Sequence, residues 1–110
     1  MNRKEYLTVK VSEESHEVGQ RACKAACFGM DEIQPGQNLD NRERLWGEFA
    51  DLVGILEMLF PEIDIIEIVK ALRPQIDAKK IKVEKFMLYS EECGTLTATP
   101  PRAAGERNKI

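Results

Sequence analysis

The stretch LWGEFADLVGILEML, residues 45–59, decides the fold of this chain. Wound as a helix at about 100° per residue, it turns Leu45, Phe49, Leu52 and Leu56 into one stripe. Glu48 and Asp51 then lie side by side on the flank of that stripe, beside Ile55 and Met58, while the opposite face offers only Trp46, Ala50 and Gly54. A helix that is apolar on nearly every side is ordinarily buried all round. Between Trp46 and Phe60 the only charged residues are Glu48, Asp51 and Glu57, so two acids share a side of a helix that reads as buried. Ionised carboxylates in such a place are paired or hold a metal, because an isolated charge is costly to desolvate.

Outward from this segment, the helix is expected over residues 42–60, with an N-cap at Asn41 and a stop at Pro61. Residues 29–41, with Pro35, Gly36 and the cluster Asn38, Asp40 and Asn41, read as a loop long enough to carry function. Before the loop, Leu7, Val11, Val18, Ala22 and Ala25 recur with helical period over residues 3–28, and Gly29 ends the pattern. The alternation Thr8-Val9-Lys10-Val11 permits a short strand, but no partner strand is apparent, and the helix is favoured. Beyond Pro61, Asp64 can cap a third helix through Ile65, Ile66, Ile68, Val69 and Leu72, after which Pro74 interrupts. A fourth helix is expected from about Gln75 to Glu92. After Cys93 hydrophobic periodicity ceases and Gly, Thr, Pro, Ala and Arg take over, so residues 94–110 read as a disordered tail behind one all-α domain, residues 1–93. Four helices joined mostly by short connections predict a small helical bundle.

With 110 residues, 43% of them hydrophobic, the chain can bury a core of modest size and would gain from a dimer interface. A formal charge of -3 and a pI near 5.3 speak against a nucleic-acid-binding surface, which needs a basic stripe. The lysines of the fourth helix, Lys79, Lys80, Lys82 and Lys85, spread around its circumference rather than form such a stripe. No signal peptide is evident and no apolar run approaches the ~20 residues that span a bilayer. The expectation is a soluble, cytoplasmic protein without a membrane partner, its three cysteines reduced.

The first helix matches the acids of the second. Glu14 and Glu17 are three residues apart on the flank of the Val18-Ala22-Ala25 stripe, and the two acidic pairs can face each other. Four carboxylates packed together require cations, and oxygen ligands select Mg²⁺, Mn²⁺ or Ca²⁺ over zinc. Mg²⁺ is the expected ion. Arg21 and Lys24 fall on the same side of the helix, where they would meet phosphates carried by the metal. The plainer reading is a solvated face in which Glu17 and Arg21 pair at i,i+4. That reading suits the first helix better than the second, whose acids have no polar face around them. A zinc site built from His16, Cys23 and Cys27, with Cys93 as a further ligand, is set aside because no Cys-x-x-Cys knuckle is present.

The pattern Glu13-Glu14-x-x-Glu17 followed by Glu48-x-x-Asp51 resembles the EExxE and ExxD motif pair of the MazG-like nucleotide pyrophosphohydrolases, an all-α superfamily that includes dimeric dUTPases. The segment AACFGMDEIQPGQ is similar to the loop of short, single-domain, phage-type members, and the resemblance covers roughly residues 5–92. It implies a helical domain that forms a homodimer or a dimer of dimers and hydrolyses a nucleoside triphosphate to the monophosphate and pyrophosphate with Mg²⁺, for which Mn²⁺ can substitute. Carried onto this chain, it implies Glu14, Glu17, Glu48 and Asp51 as metal ligands and Glu13 as a catalytic group that either supports those ligands from behind or orients water. Two departures stand out. The gap from Glu17 to Glu48 is longer than in many members, and the family's later Lys-Asn-Arg phosphate contacts have no clean counterpart, leaving Lys79 and Lys82 as the substitutes beside Arg21 and Lys24. A catalytically silent helical dimer that binds a nucleotide or a protein is the alternative. Trp46 reads as a core or interface residue before a base-stacking one.

Overall fold

The computed structural model describes residues 1–97, and these contain four helices and no strand. They are α1 (Arg3–Phe28), α2 (Asn41–Leu59), α3 (Ile65–Ala71) and α4 (Arg73–Glu92). The all-α class expected from the periodicity is the class observed, and Thr8 to Val11 are helical. The assigned tail, residues 94–110, falls largely outside the described residues. Its first residues close α4 in a turn, with the Gly94 N–H donating to the Glu91 carbonyl.

The chain divides into two compact units, Met1–Ile65 and a second from Ile66 onward. The first is a helical hairpin. Asn2 opens α1 by accepting a hydrogen bond from the Glu5 N–H at 2.8 Å, while its amide donates to the Glu5 carboxylate at 3.0 Å. Gly29, at φ +100°, closes α1 with its N–H on the Ala25 carbonyl. The loop then returns to the start of α2: the Asn41 N–H donates to the Glu32 carbonyl and the Arg42 N–H to the Met30 carbonyl, each at 3.0 Å. The two ends of the loop are thereby tied together, and α2 packs back along α1 in the antiparallel sense. Within the loop, the Gln37 N–H reaches the Gln34 carbonyl across Pro35 and Gly36, whose φ of +85° is the left-handed conformation that this turn requires.

The cap of α2 differs from the expectation. Asp40, not Asn41, is the N-cap: its carboxylate accepts from the Glu43 N–H at 2.8 Å and the Glu43 carboxylate accepts from the Asp40 N–H at 3.3 Å, a reciprocal capping box. Asn41, released from capping, is 1% exposed, and its amide donates to the Gly29 carbonyl at 2.8 Å and the Glu32 carboxylate at 3.1 Å. Two bonds and full burial make it the fastening between the loop and the hairpin.

Burial also differs. Within one chain α2 is not covered all round: Trp46, Phe49 and Met58 are 44%, 46% and 47% exposed. Only Leu7 and Ala25 are buried apolar residues among those described. Among the described residues, α1 is the helix packed on α2, and it covers one side. In the second unit, Pro74 does not delay α4 as expected but stands in its first turn, where a missing N–H costs nothing, so that the helix begins at Arg73.

Candidate metal centre

The hairpin brings Glu14 and Glu17 of α1 against Glu48 of α2, one carboxylate oxygen of each lying within 4.8 Å of the other two. Glu14 and Glu48 are half-buried and Glu17 is exposed. Glu14 Oε2 and Glu48 Oε2 are cut off from solvent without a hydrogen-bond partner. Loss of hydration is the largest effect pushing both carboxyls above their ordinary range, followed by repulsion from the neighbouring Glu17 carboxylate. Arg21 opposes the shift at Glu48.

Asp51 is exposed and lies outside the trio, though its charge adds to the upward push on Glu14 and Glu48. Glu13 is turned to a different partner, Lys10, whose ammonium it holds at 2.8 Å. That hydrogen bond is the main reason the lysine's pKa is raised. Two oxygens removed from water and left without donors are an unfavourable arrangement for carboxylates alone. Hard, anionic oxygens contributed by two helices fit a divalent cation such as Mg²⁺ or Mn²⁺.

The cation beside this cluster is Arg21, one turn beyond Glu17. The i,i+4 pair with Glu17 is not formed, and Arg21 Nε and Nη1 are buried without partners. Arg21 and Lys24 line a cleft of about 350 Å³ whose other walls include Phe28, Glu32, Gln34 and Asn41. Neither cation forms an ion pair with another described residue. The sequence reading reached Arg21 and Lys24 and missed the loop wall, Glu32 and Gln34. The loop's length, its Pro35-Gly36 turn and the family-like segment AACFGMDEIQPGQ drew attention to this stretch, but none of them singled out Glu32 or Gln34 within it.

Lys79 and Lys82 are exposed on α4, in the second unit, and take part in no ion pair among the described residues, where Asp77 engages Arg73 and Lys80 instead. His16 Nδ1 lies 2.6 Å from the Ser12 carbonyl, and Cys23, Cys27 and Cys93 are free and exposed. No helix among the described residues is long and apolar enough to cross a membrane. No protein-family model, curated protein or solved structure matches the chain.

Proposed function

We propose that this protein is a Mg²⁺-dependent nucleoside triphosphate pyrophosphohydrolase of the MazG-like kind, releasing nucleoside monophosphate and pyrophosphate in the cytoplasm. The observation that carries the reading is the convergence of three carboxylates from two helices, two of them with buried, unpartnered oxygens, beside a guanidinium that is itself unpartnered. A surface of solvated charges would leave neither group in that condition.

In this reading Glu14, Glu17 and Glu48 hold the ion, and Asp51 completes the set from the next turn of α2. The bound cation supplies charge neutralisation on the phosphate oxygens and an activated water. Arg21 and Lys24 would bind non-bridging phosphate oxygens and orient the phosphate chain along α1. Glu13, which is bound to Lys10, is the group that would orient water if released from that lysine. Lys79 and Lys82 are the further phosphate-binding candidates from α4. The uncovered apolar side of α2 belongs, in the same reading, to a second copy of the chain.

The test is pyrophosphate release from a panel of ribo- and deoxynucleoside triphosphates with Mg²⁺, with Mn²⁺ and with EDTA. Metal-dependent release that is abolished in Glu48→Gln and Asp51→Asn, with helicity retained, is the expected result. Full activity in both variants would sink the assignment, and nucleotide binding without release would make the protein a binding module.

A further inference from the structure

Glu14, Glu17, Arg21, Lys24 and Phe28 follow one another at alternating steps of three and four, so they form a single stripe down α1. At 1.5 Å per residue the stripe runs about 16 Å from Glu17 to Phe28. Its chemistry changes in order along that length, from carboxylates through a guanidinium and an ammonium to an aromatic ring. Opposite its far half stands the loop wall, with Glu32 and Gln34. On the hydrolase reading above, we propose that this cleft is the nucleoside subsite and that Glu32 reads the base, selecting nucleotides whose base carries an exocyclic amine.

The charge order sets the polarity of the ligand. Phosphates are attracted to the α1 wall by Arg21 and Lys24 and repelled by the carboxylate across from them, so the group that meets Glu32 is one that donates hydrogen bonds. Glu32 is held for that purpose. Its backbone carbonyl accepts from the Asn41 N–H at 3.0 Å and its Oε1 accepts from the buried Asn41 amide at 3.1 Å. Its other oxygen has no partner among the described residues, and it forms no ion pair with Arg21 or Lys24 across the cleft. Gln34 is fixed in a similar way, its Oε1 accepting from Arg44 Nη1 at 3.0 Å. Its amide nitrogen remains as a donor.

An acceptor next to a donor matches the amino group and adjoining ring nitrogen of cytosine or adenine, and the carboxylate suits the neighbouring N–H groups of guanine. Uracil and thymine offer one ring N–H flanked by two carbonyl oxygens, whose lone pairs oppose a carboxylate. Phe28, 65% exposed on the cleft rim, supplies a face on which a base can stack.

Glu32→Gln is the deciding variant. Glutamine keeps an oxygen for Asn41 and replaces the free acceptor by a donor, so it preserves the fastening and inverts what the base meets. We would measure kcat/KM with Mg²⁺ for dGTP, dCTP, dATP, dTTP and dUTP, with Kd for non-hydrolysable imido analogues of the same nucleotides. The wild-type protein is expected to favour the amino-bearing bases by about tenfold or more, and the variant to narrow or invert that ratio. Turnover with an unchanged ratio in the variant, or a wild-type protein that treats dTTP and dUTP like the others, overturns the role of Glu32 and leaves the hydrolase standing. Failure of the wild-type protein to bind or hydrolyse any nucleotide overturns both.

Discussion

Glu14 and Glu48 each keep one oxygen out of water with no donor against it, and their carboxyls are raised above the ordinary value of 4.5. The folded state therefore holds its protons at pH values where the unfolded chain has released them. For these two groups the metal-free protein loses stability as pH rises from 4.5 through their elevated pKa values, and keeps that deficit above them. On the proposed function, Mg²⁺ would remove the deficit by binding these oxygens. Thermal melting is expected to show a Mg²⁺-induced rise that is larger at pH 8 than at pH 5. In the absence of metal, Glu48→Gln should melt above the wild-type protein at pH 8, and a Mg²⁺ response that is the same at both pH values would contradict the cluster's role. The three-residue spacing of Glu14 with Glu17 and of Glu48 with Asp51 was enough to expect acids of the two helices side by side, and Glu14, Glu17 and Glu48 do come together, because helical period fixes which side chains share a flank. Periodicity could not separate Asp51 from the trio, since azimuth on one helix says nothing about distance to the next. Glu32 was invisible for a different reason: its place depends on a loop folding back onto Asn41.

At the scale of elements, the capping box of α2 and the fastening by Asn41 hold the hairpin's closed end. Asp40 and Asn41 were both acceptable caps by residue type. Glu43, three residues after Asp40, decided between them, and the sequence contained that Asp-x-x-Glu signal. Asn41→Ala removes two hydrogen bonds and leaves the Gly29 carbonyl without that donor, so a loss of about 1–3 kcal/mol in urea unfolding is expected. Asp40→Ala should cost about 1 kcal/mol, the usual value of a lost N-cap. A smaller loss from Asn41→Ala than from Asp40→Ala would remove Asn41 from its central place. The early start of α4 was not legible because proline ends a helix when inside it and begins one when in the first turn; local sequence at Pro74 supports either.

At the scale of the whole molecule, hydropathy and burial part company. The apolar surround of residues 45–59 was read as a helix buried on all sides, and within one chain Trp46 and Phe49 instead meet edge to face at 5.6 Å with nearly half of each exposed. The composition of a segment states how much surface wants cover and is silent on whether the cover comes from the same chain. Light scattering at micromolar concentration is expected to give the mass of a dimer or a larger even assembly. Phe49→Glu, which sets a charge in the uncovered face, should shift that mass toward the monomer. A monomeric wild-type protein would leave this face without its proposed partner.

The loop between the long helices is stitched at its feet: Asn41 ties Gly29 and Glu32, Arg42 reaches Asp31 at 2.6 Å, and Arg44 holds Gln34. Between Gln34 and Asp40 no such stitch reaches the hairpin among the bonds described, and the turn at Gly36 stands by itself. Residues 35–39 are thus a cassette. Substitutions and insertions there would alter the rim of the cleft at Pro35 without unseating either helix; were the proposed function to hold, a lineage could change which nucleotides it accepts there while the carboxylates of α1 and α2 stay put.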